Sequence, residues 1–279
     1  MPAAAIGTRK ARTLLKVLAL GRGRPVSVDR IVEVLWDEAP PARANEQVAV
    51  LVSRLRGTLG RERLAFGDGG YTLQVDWLDL DALDALAQEA QRRLDAAGYA
   101  AARSAAGAAL ALARGALLID EPDAPWLDLE RATAARLVAR TRHVAGQAAL
   151  ATGDPVDAAE FAQGALDHDP YDEEALRLLM RAWVAAGRPA SALAAYAHTR
   201  TRLGEDLGVG PSAETEAVHT AIVRDEPLGD AAQASPVTEL VGRDRELAAL
   251  DAAARVGRAG TPHEVHEIGD AGIGKSTLH

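Results

Sequence analysis

Gly153, Pro155 and Ala158 recur 34 residues later as Gly187, Pro189 and Ala192, with Leu193 standing where Ala159 stood. That period is the length of one tetratricopeptide helix pair. Small residues at such positions let two helices pack closely, and the Gly-x-Pro turn starts each pair. Ala97-Gly98-Tyr99 is a looser forerunner of the same turn. From Asp79 to about Asp225 the chain is Ala/Leu-rich, helical in period and broken by Gly-containing turns. The stretch is predicted to be stacked helix pairs, a plain helical bundle being the alternative.

Three shorter amphipathic segments precede it. Ala11, Leu14, Leu15 and Leu18 fall on one face of a helix over residues 8–20, which the glycines of GRGRP end. Ser27 is placed to cap a second helix with the stripe Val28, Ile31 and Leu35. Pro40 and Pro41 close that helix and open a third, over about 42–59, with Val48, Val52, Leu55 and Leu59 inward and Leu51 flanking. LAFGDGGYTLQV then reads as a hairpin around Gly67-Asp68-Gly69-Gly70. The first twenty residues run basic then apolar, the outline of a secretion signal. Lys16 interrupts the apolar run and no A-x-A site follows, so the segment reads as a helix of the fold.

The whole chain carries 31 Lys/Arg against 40 Asp/Glu, a balance that argues against nucleic acid until it is divided by segment. Residues 1–75 hold 12 basic and 7 acidic side chains, +5; the remainder holds 19 and 33, −14. A basic head on an acidic body suits a DNA-binding module joined to a domain that should avoid DNA. The absence of cysteine rules out disulfides and Cys-zinc sites and points to the cytoplasm. No apolar run is long enough to span a membrane. Acidic clusters such as Asp79-Leu80-Asp81 and Asp172-Glu173-Glu174 stand at helix starts, where they favour the helix dipole. Trp126, Trp183 and Tyr196 read as packing between helix pairs, and nothing assembles a nucleophile triad or metal site, so no enzyme is expected.

A helix enters the major groove only if one face docks on its own protein and the other presents polar tips. With Val48 at the centre of the buried face, a step of about 100° per residue puts Arg43, Val50 and Arg54 nearly opposite, Ser53 on the edge and Arg56 on a flank. Arg54 is suited to a guanine edge, Val50 to a thymine methyl, and Arg56 or Lys10 to phosphates. An ordinary surface helix is the alternative, since Glu46 shares the outer face.

The stretch VSVDRIVEVLWDEAPPARANEQVAVLVSRLRGTLG, its Gly-Gly-Tyr hairpin, and the later LGEDLGVGPSAETEAVHTAIVRDEP resemble bacterial transcriptional activators of the SARP type. Those proteins join an OmpR-type winged helix to a tetratricopeptide-like bacterial transcriptional activation domain. Carried over by position, the resemblance turns Leu51, Arg54 and Arg56 toward DNA. It also implies operators of direct repeats, recruitment of RNA polymerase, and a helical domain that assists dimerisation or partner contact. The chain departs from the family in two ways. It starts almost at the first helix, without the small N-terminal β-sheet, and its hairpin tip carries Asp68 in place of an arginine.

Gly269, Gly272, Gly274, Lys275, Ser276 and Thr277 lie in a G-x-x-x-x-G-K-S-T string, the pattern of a phosphate-cradling P-loop. The sequence stops three residues after Ser276, so the string reads as the stub of a P-loop ATPase segment, and ATP with Mg²⁺ is expected only if that stub were completed. The expected fold is therefore mainly α. Residues 1–76 form a winged helix-turn-helix without its N-terminal sheet, and 77–226 a tetratricopeptide-like activation domain. A linker follows over 227–240, then an incomplete P-loop segment over 241–279. The expected function is sequence-specific regulation of transcription, with a helical-repeat scaffold or a nucleotide-responsive switch as alternatives.

Overall fold

The computed structural model describes residues 6–228. The P-loop string at Gly269–Thr277 and nearly all of the linker lie outside the described residues. The architecture is mainly α. Among the described residues, a head of three helices and a small sheet is followed by seven further α-helices.

In the head, α1 (Arg9–Leu20), α2 (Val28–Trp36) and α3 (Ala44–Leu59) pack around one core. Leu14, Leu18, Ile31, Val48, Val52, Leu55 and Leu64 are almost wholly withdrawn from water there. Ser27 caps α2 as predicted, its hydroxyl accepting from the Arg30 N–H at 3.2 Å. Helix α3 starts two residues later than predicted because Pro40 and Pro41 stay in the preceding turn. The Ala44 N–H bonds the Pro41 carbonyl there.

The hairpin is β2 (Leu64–Gly67) and β3 (Gly70–Leu73), joined through Asp68 and Gly69. Both turn residues have positive φ, as a tight two-residue hairpin loop requires. A strand not foreseen from sequence, β1 (Val26–Ser27), completes an antiparallel sheet of order β1-β3-β2. Gly70 makes that pairing possible, because a Cβ there would stand 2.4 Å from the Val26 carbonyl oxygen.

The helical domain runs α4 (Asp79–Asp95), α5 (Tyr99–Leu112), α6 (Asp128–Ala151), α7 (Pro155–Leu166), α8 (Glu173–Ala185), α9 (Pro189–Arg202) and α10 (Ala213–Val223). A π-helical turn at Leu203–Leu207 follows α9. Each helix from α4 to α9 packs on its successor in the chain. The contacts are lined by small side chains: Ala90, Ala106, Ala145, Ala158, Ala162 and Ala192 are all buried. Pro155 and Pro189 occupy the first turns of α7 and α9, where a missing N–H costs nothing.

The repeated turn has one geometry in three places. The Asp154 N–H reaches back to the Ala149 carbonyl, Arg188 to Trp183, and Gly98 to Arg93, at 2.7–2.9 Å. The residue before each donor is left-handed: Gly153, Gly187 and Ala97. This is the Schellman ending of a helix, which glycine accepts without a steric penalty. The forerunner was looser in sequence because alanine holds the left-handed position.

Between α6 and α8, the His143 ring Nε2 lies 2.9 Å from Asp172, whose other oxygen caps α8 by accepting from the Ala175 N–H. Burial alone would lower the His143 pKa. The hydrogen bond and charge of Asp172, helped by Glu174 and opposed by Arg177, outweigh burial and raise it. Asp172 is likewise pushed up by burial but held below its ordinary value by His143 and backbone N–H groups.

Two outcomes are expected in denaturant unfolding. Ala97→Gly should gain about 1 kcal/mol, and Gly153→Ala or Gly187→Ala should lose about as much, since only backbone strain differs. His143 is raised on folding, so its contribution is complete below about pH 6.5 and fades as pH climbs through the higher folded value. The urea midpoint should fall between neutral and mildly alkaline pH in the parent and stay flat in His143→Gln; the same slope in both would contradict the pairing.

Candidate nucleic-acid interface

Helix α3 is two-faced. Val48, Leu51, Val52 and Leu55 are buried, whereas Arg43, Glu46, Gln47, Val50, Ser53 and Arg54 are exposed. Val50 is 51% exposed, on the side of the helix away from its buried stripe. The Arg54 guanidinium has no partner among the described residues, and its backbone carbonyl accepts from the Thr58 hydroxyl. Arg54, Val50 and Ser53 thus form a ridge with an unengaged cation on it.

Three sequence assignments change. Leu51 is 8% exposed and belongs to the head's core, so it does not face outward as the carry-over by resemblance required. It lies about 60° from the inward face, and the stripe is wide enough to enclose it. Arg56 is half-buried, and its Nε donates to the Leu64 carbonyl at 2.9 Å, which ties α3 to the start of the hairpin. Its first role is to set the wing against the helix. Lys10 lies on α1 with its ammonium 4.2 Å from the Trp36 ring centre, and partial burial lowers its pKa. That cation is engaged with an aromatic face. Arg43 stays at the N-terminal end of α3 and pairs with Glu46 at 3.5 Å, which offsets part of its charge.

Gln47 was missed. It stands seven residues before Arg54, about 20° around the helix from it, and is exposed. A glutamine amide can read an adenine edge with two hydrogen bonds. Arg61, exposed just beyond α3, is a second omission. Neither carries a composition signal; the helical period alone could have found Gln47.

The hairpin projects beyond the core. Phe66 is 59% exposed and leans on Tyr71 with ring centres 4.9 Å apart. Asp68 at the tip would repel phosphate, so backbone grip by the wing is weak.

The head's basic charge is divided. Arg9, Lys16 and Arg22 pair with Glu121, with Asp120 and Glu121, and with Asp81 and Asp84 of the helical domain. Trp126, read from sequence as packing between helix pairs, instead lies against the head's core. Of the acidic helix starts, Asp81 serves Arg22, and Glu173 accepts from the N–H and hydroxyl of Ser212. Among the described residues no group of acids and histidines is placed to hold a metal, and no helix is long and apolar enough to cross a membrane.

Comparison with known proteins agrees with this two-part reading. The family described as bacterial transcriptional activator domain matches residues 78–223, and that described as transcriptional regulatory protein, C terminal, matches residues 4–66. Regulatory protein AfsR of Streptomyces griseus is 29% identical over 98% of this chain, which spans 30% of that protein. Transcriptional regulatory protein EmbR of Mycobacterium tuberculosis is 32% identical over 83% of this chain, which spans 62% of its length. The solved structure of M. tuberculosis EmbR in complex with a low-affinity phosphopeptide superposes with a TM-score of 0.76. It shares 29% identity and covers 82% of this chain and 62% of that one. The chain thus spans less than two thirds of these relatives.

The two arginines of α3 should separate in unfolding experiments. Arg56→Ala should cost about 1 kcal/mol through its lost bond to the hairpin, while Arg54→Ala should stay within about 0.5 kcal/mol of the parent. Equal losses would mean that the Arg56 bond contributes nothing to the head.

Proposed function

Since the chain belongs to the SARP-type family of bacterial transcriptional activators, we propose that it binds duplex DNA through α3 and activates transcription by recruiting RNA polymerase. The observation that carries the reading is the outer face of α3, where Gln47, Val50, Ser53 and unengaged Arg54 stand together opposite a fully buried stripe. The acidic helical domain is suited to protein contact rather than DNA. In this reading two copies lie on direct repeats, and the described residues act without a cofactor.

Lys16 and Arg22 are occupied elsewhere and Arg54 is kept for a base edge, so phosphate contacts fall to cations such as Arg43 and Arg61, with backbone N–H groups beside them. Two such arginines per copy, four across two copies, give a log–log salt slope of about −4. The wing adds apolar surface through Phe66 more than charge.

Selection from randomised duplexes at two salt concentrations tests the proposal. Enrichment of one direct-repeat sequence is expected, and Arg54→Ala should then lose about 1–3 kcal/mol of affinity with relaxed preference at one base pair. No enrichment by folded protein would overturn the reading and leave the helical domain to carry the function.

A further inference from the structure

The linker between head and helical domain, residues 74–78, is short and has no helix or strand of its own. By itself it would let the head swivel. Ties along α1 and just beyond its far end prevent that, and three side chains of the helix itself, Arg9, Thr13 and Lys16, gather on one carboxylate, that of Glu121.

The segment between α5 and α6 is held from inside the helical domain. Leu118 has a φ of +50°, rare for a side chain of its size. The Arg131 guanidinium, on the first turn of α6, secures the backbone around it. Its Nε donates to the Leu117 carbonyl at 3.1 Å, and an Nη donates to the carbonyls of Leu118 at 3.1 Å and Glu121 at 2.7 Å. Glu121 therefore projects from a braced loop. Its residue is 7% exposed, and it faces α1 of the head. There its carboxylate accepts from the Lys16 ammonium at 2.9 Å and the Thr13 hydroxyl at 3.3 Å, with the Arg9 guanidinium 3.7 Å away. Asp120 takes a second bond from Lys16 at 2.5 Å. A few residues on, Trp126 packs on the head's core. Just beyond the far end of α1, Arg22 pairs with Asp81 and Asp84 of α4.

A carboxylate withdrawn from water is costly unless its bonds are kept, so the head is favoured in the one placement that keeps them. One tie would fix a distance. Ties at both ends of α1 also fix a rotation. Helix α1 packs directly on α3, so holding α1 aims the exposed ridge of α3.

We infer that Glu121 is a positioning residue for DNA binding: by gripping Lys16 and Thr13 it sets the angle at which the helical domain presents α3. The functional consequence rests on the DNA-binding reading; the geometric one does not. Two copies on one operator, each with α3 held at the same angle, accept a narrow range of half-site spacings. With Glu121 disabled, each head still reads its half-site while the spacing requirement relaxes.

The sequence contains no cysteine, so a labelled pair can be introduced cleanly at exposed Thr58 on α3 and Glu160 on α7. Pulsed dipolar distances between spin labels should give one narrow distribution in the otherwise unchanged chain. The distribution should be at least twice as wide after Glu121→Gln or Lys16→Met, and narrow again with Lys16→Arg, which restores the pair. On the duplex enriched by selection, Glu121→Gln should bind a single half-site within about twofold of the parent. It should lose about tenfold on the two-site operator, which is 1.4 kcal/mol, and tolerate shifted spacing. Lys16→Met reads the same contact from the head side should Glu121→Gln fail to fold. A distribution as narrow in the variants as in the parent, or already broad in the parent, overturns the inference. Distances that behave as expected in a protein that selects no DNA would uphold the clamp and remove the DNA-binding reading instead.

Discussion

Leu14 and Leu18 of α1 are fully withdrawn from water among the apolar stripes of α2 and α3, while Thr13 and Lys16 on the adjoining surface of the same helix meet Glu121. One helix thus serves two packing problems. Its apolar side completes a small head that would otherwise have a thin core. Its polar side, with Trp126 beside it, joins that head to the helical domain. The angle at which α3 is presented depends on this arrangement, because α3 is aimed only as well as α1 is held.

The division of charge follows from the same contact. A basic head on an acidic body looks like a DNA-binding module joined to one that avoids DNA, and in part it is. Yet Arg9, Lys16 and Arg22 find their acids within the chain. The cations left to meet a duplex are fewer than the segment total of 12 suggests. Net charge by segment is a statement about the field around a module. It does not say which charges remain unengaged, and here the side chains facing the other domain are the ones withdrawn from that field.

What could be read from the sequence was mostly local. The helices of the head followed from apolar spacing and the Ser27 cap, and the repeated turns from glycine and proline at a fixed interval, because those signals act within a few residues. Ala97 weakened the signal of the first turn while keeping its backbone geometry. Leu51 went astray for a different reason: the buried stripe of α3 is wide enough to take in a flanking leucine, and a carry-over by resemblance could not see that. Gln47 was within reach of the helical wheel but offered no charge to draw attention. Glu121, Trp126 and Asp81 were out of reach. Their partners lie far along the chain, about a hundred residues away for Glu121 and Lys16, and acids near helix starts have a sufficient local explanation. The short strand at Val26–Ser27 was equally hidden, because two residues carry no alternation and its pairing depends on Gly70 in a hairpin more than forty residues away.

The central claim, that the outer face of α3 meets DNA, is tested most directly by covalent trapping. Ser53→Cys, the sole thiol of the chain, would be offered a duplex carrying a disulfide-activated tether on a major-groove base edge, with Glu160→Cys on α7 as the control. The account predicts rapid cross-linking at position 53, suppressed by salt and by competing duplex, and none above background at position 160. Trapping at 160 with none at 53 would contradict it, and would move the DNA-facing surface from the head to the helical domain.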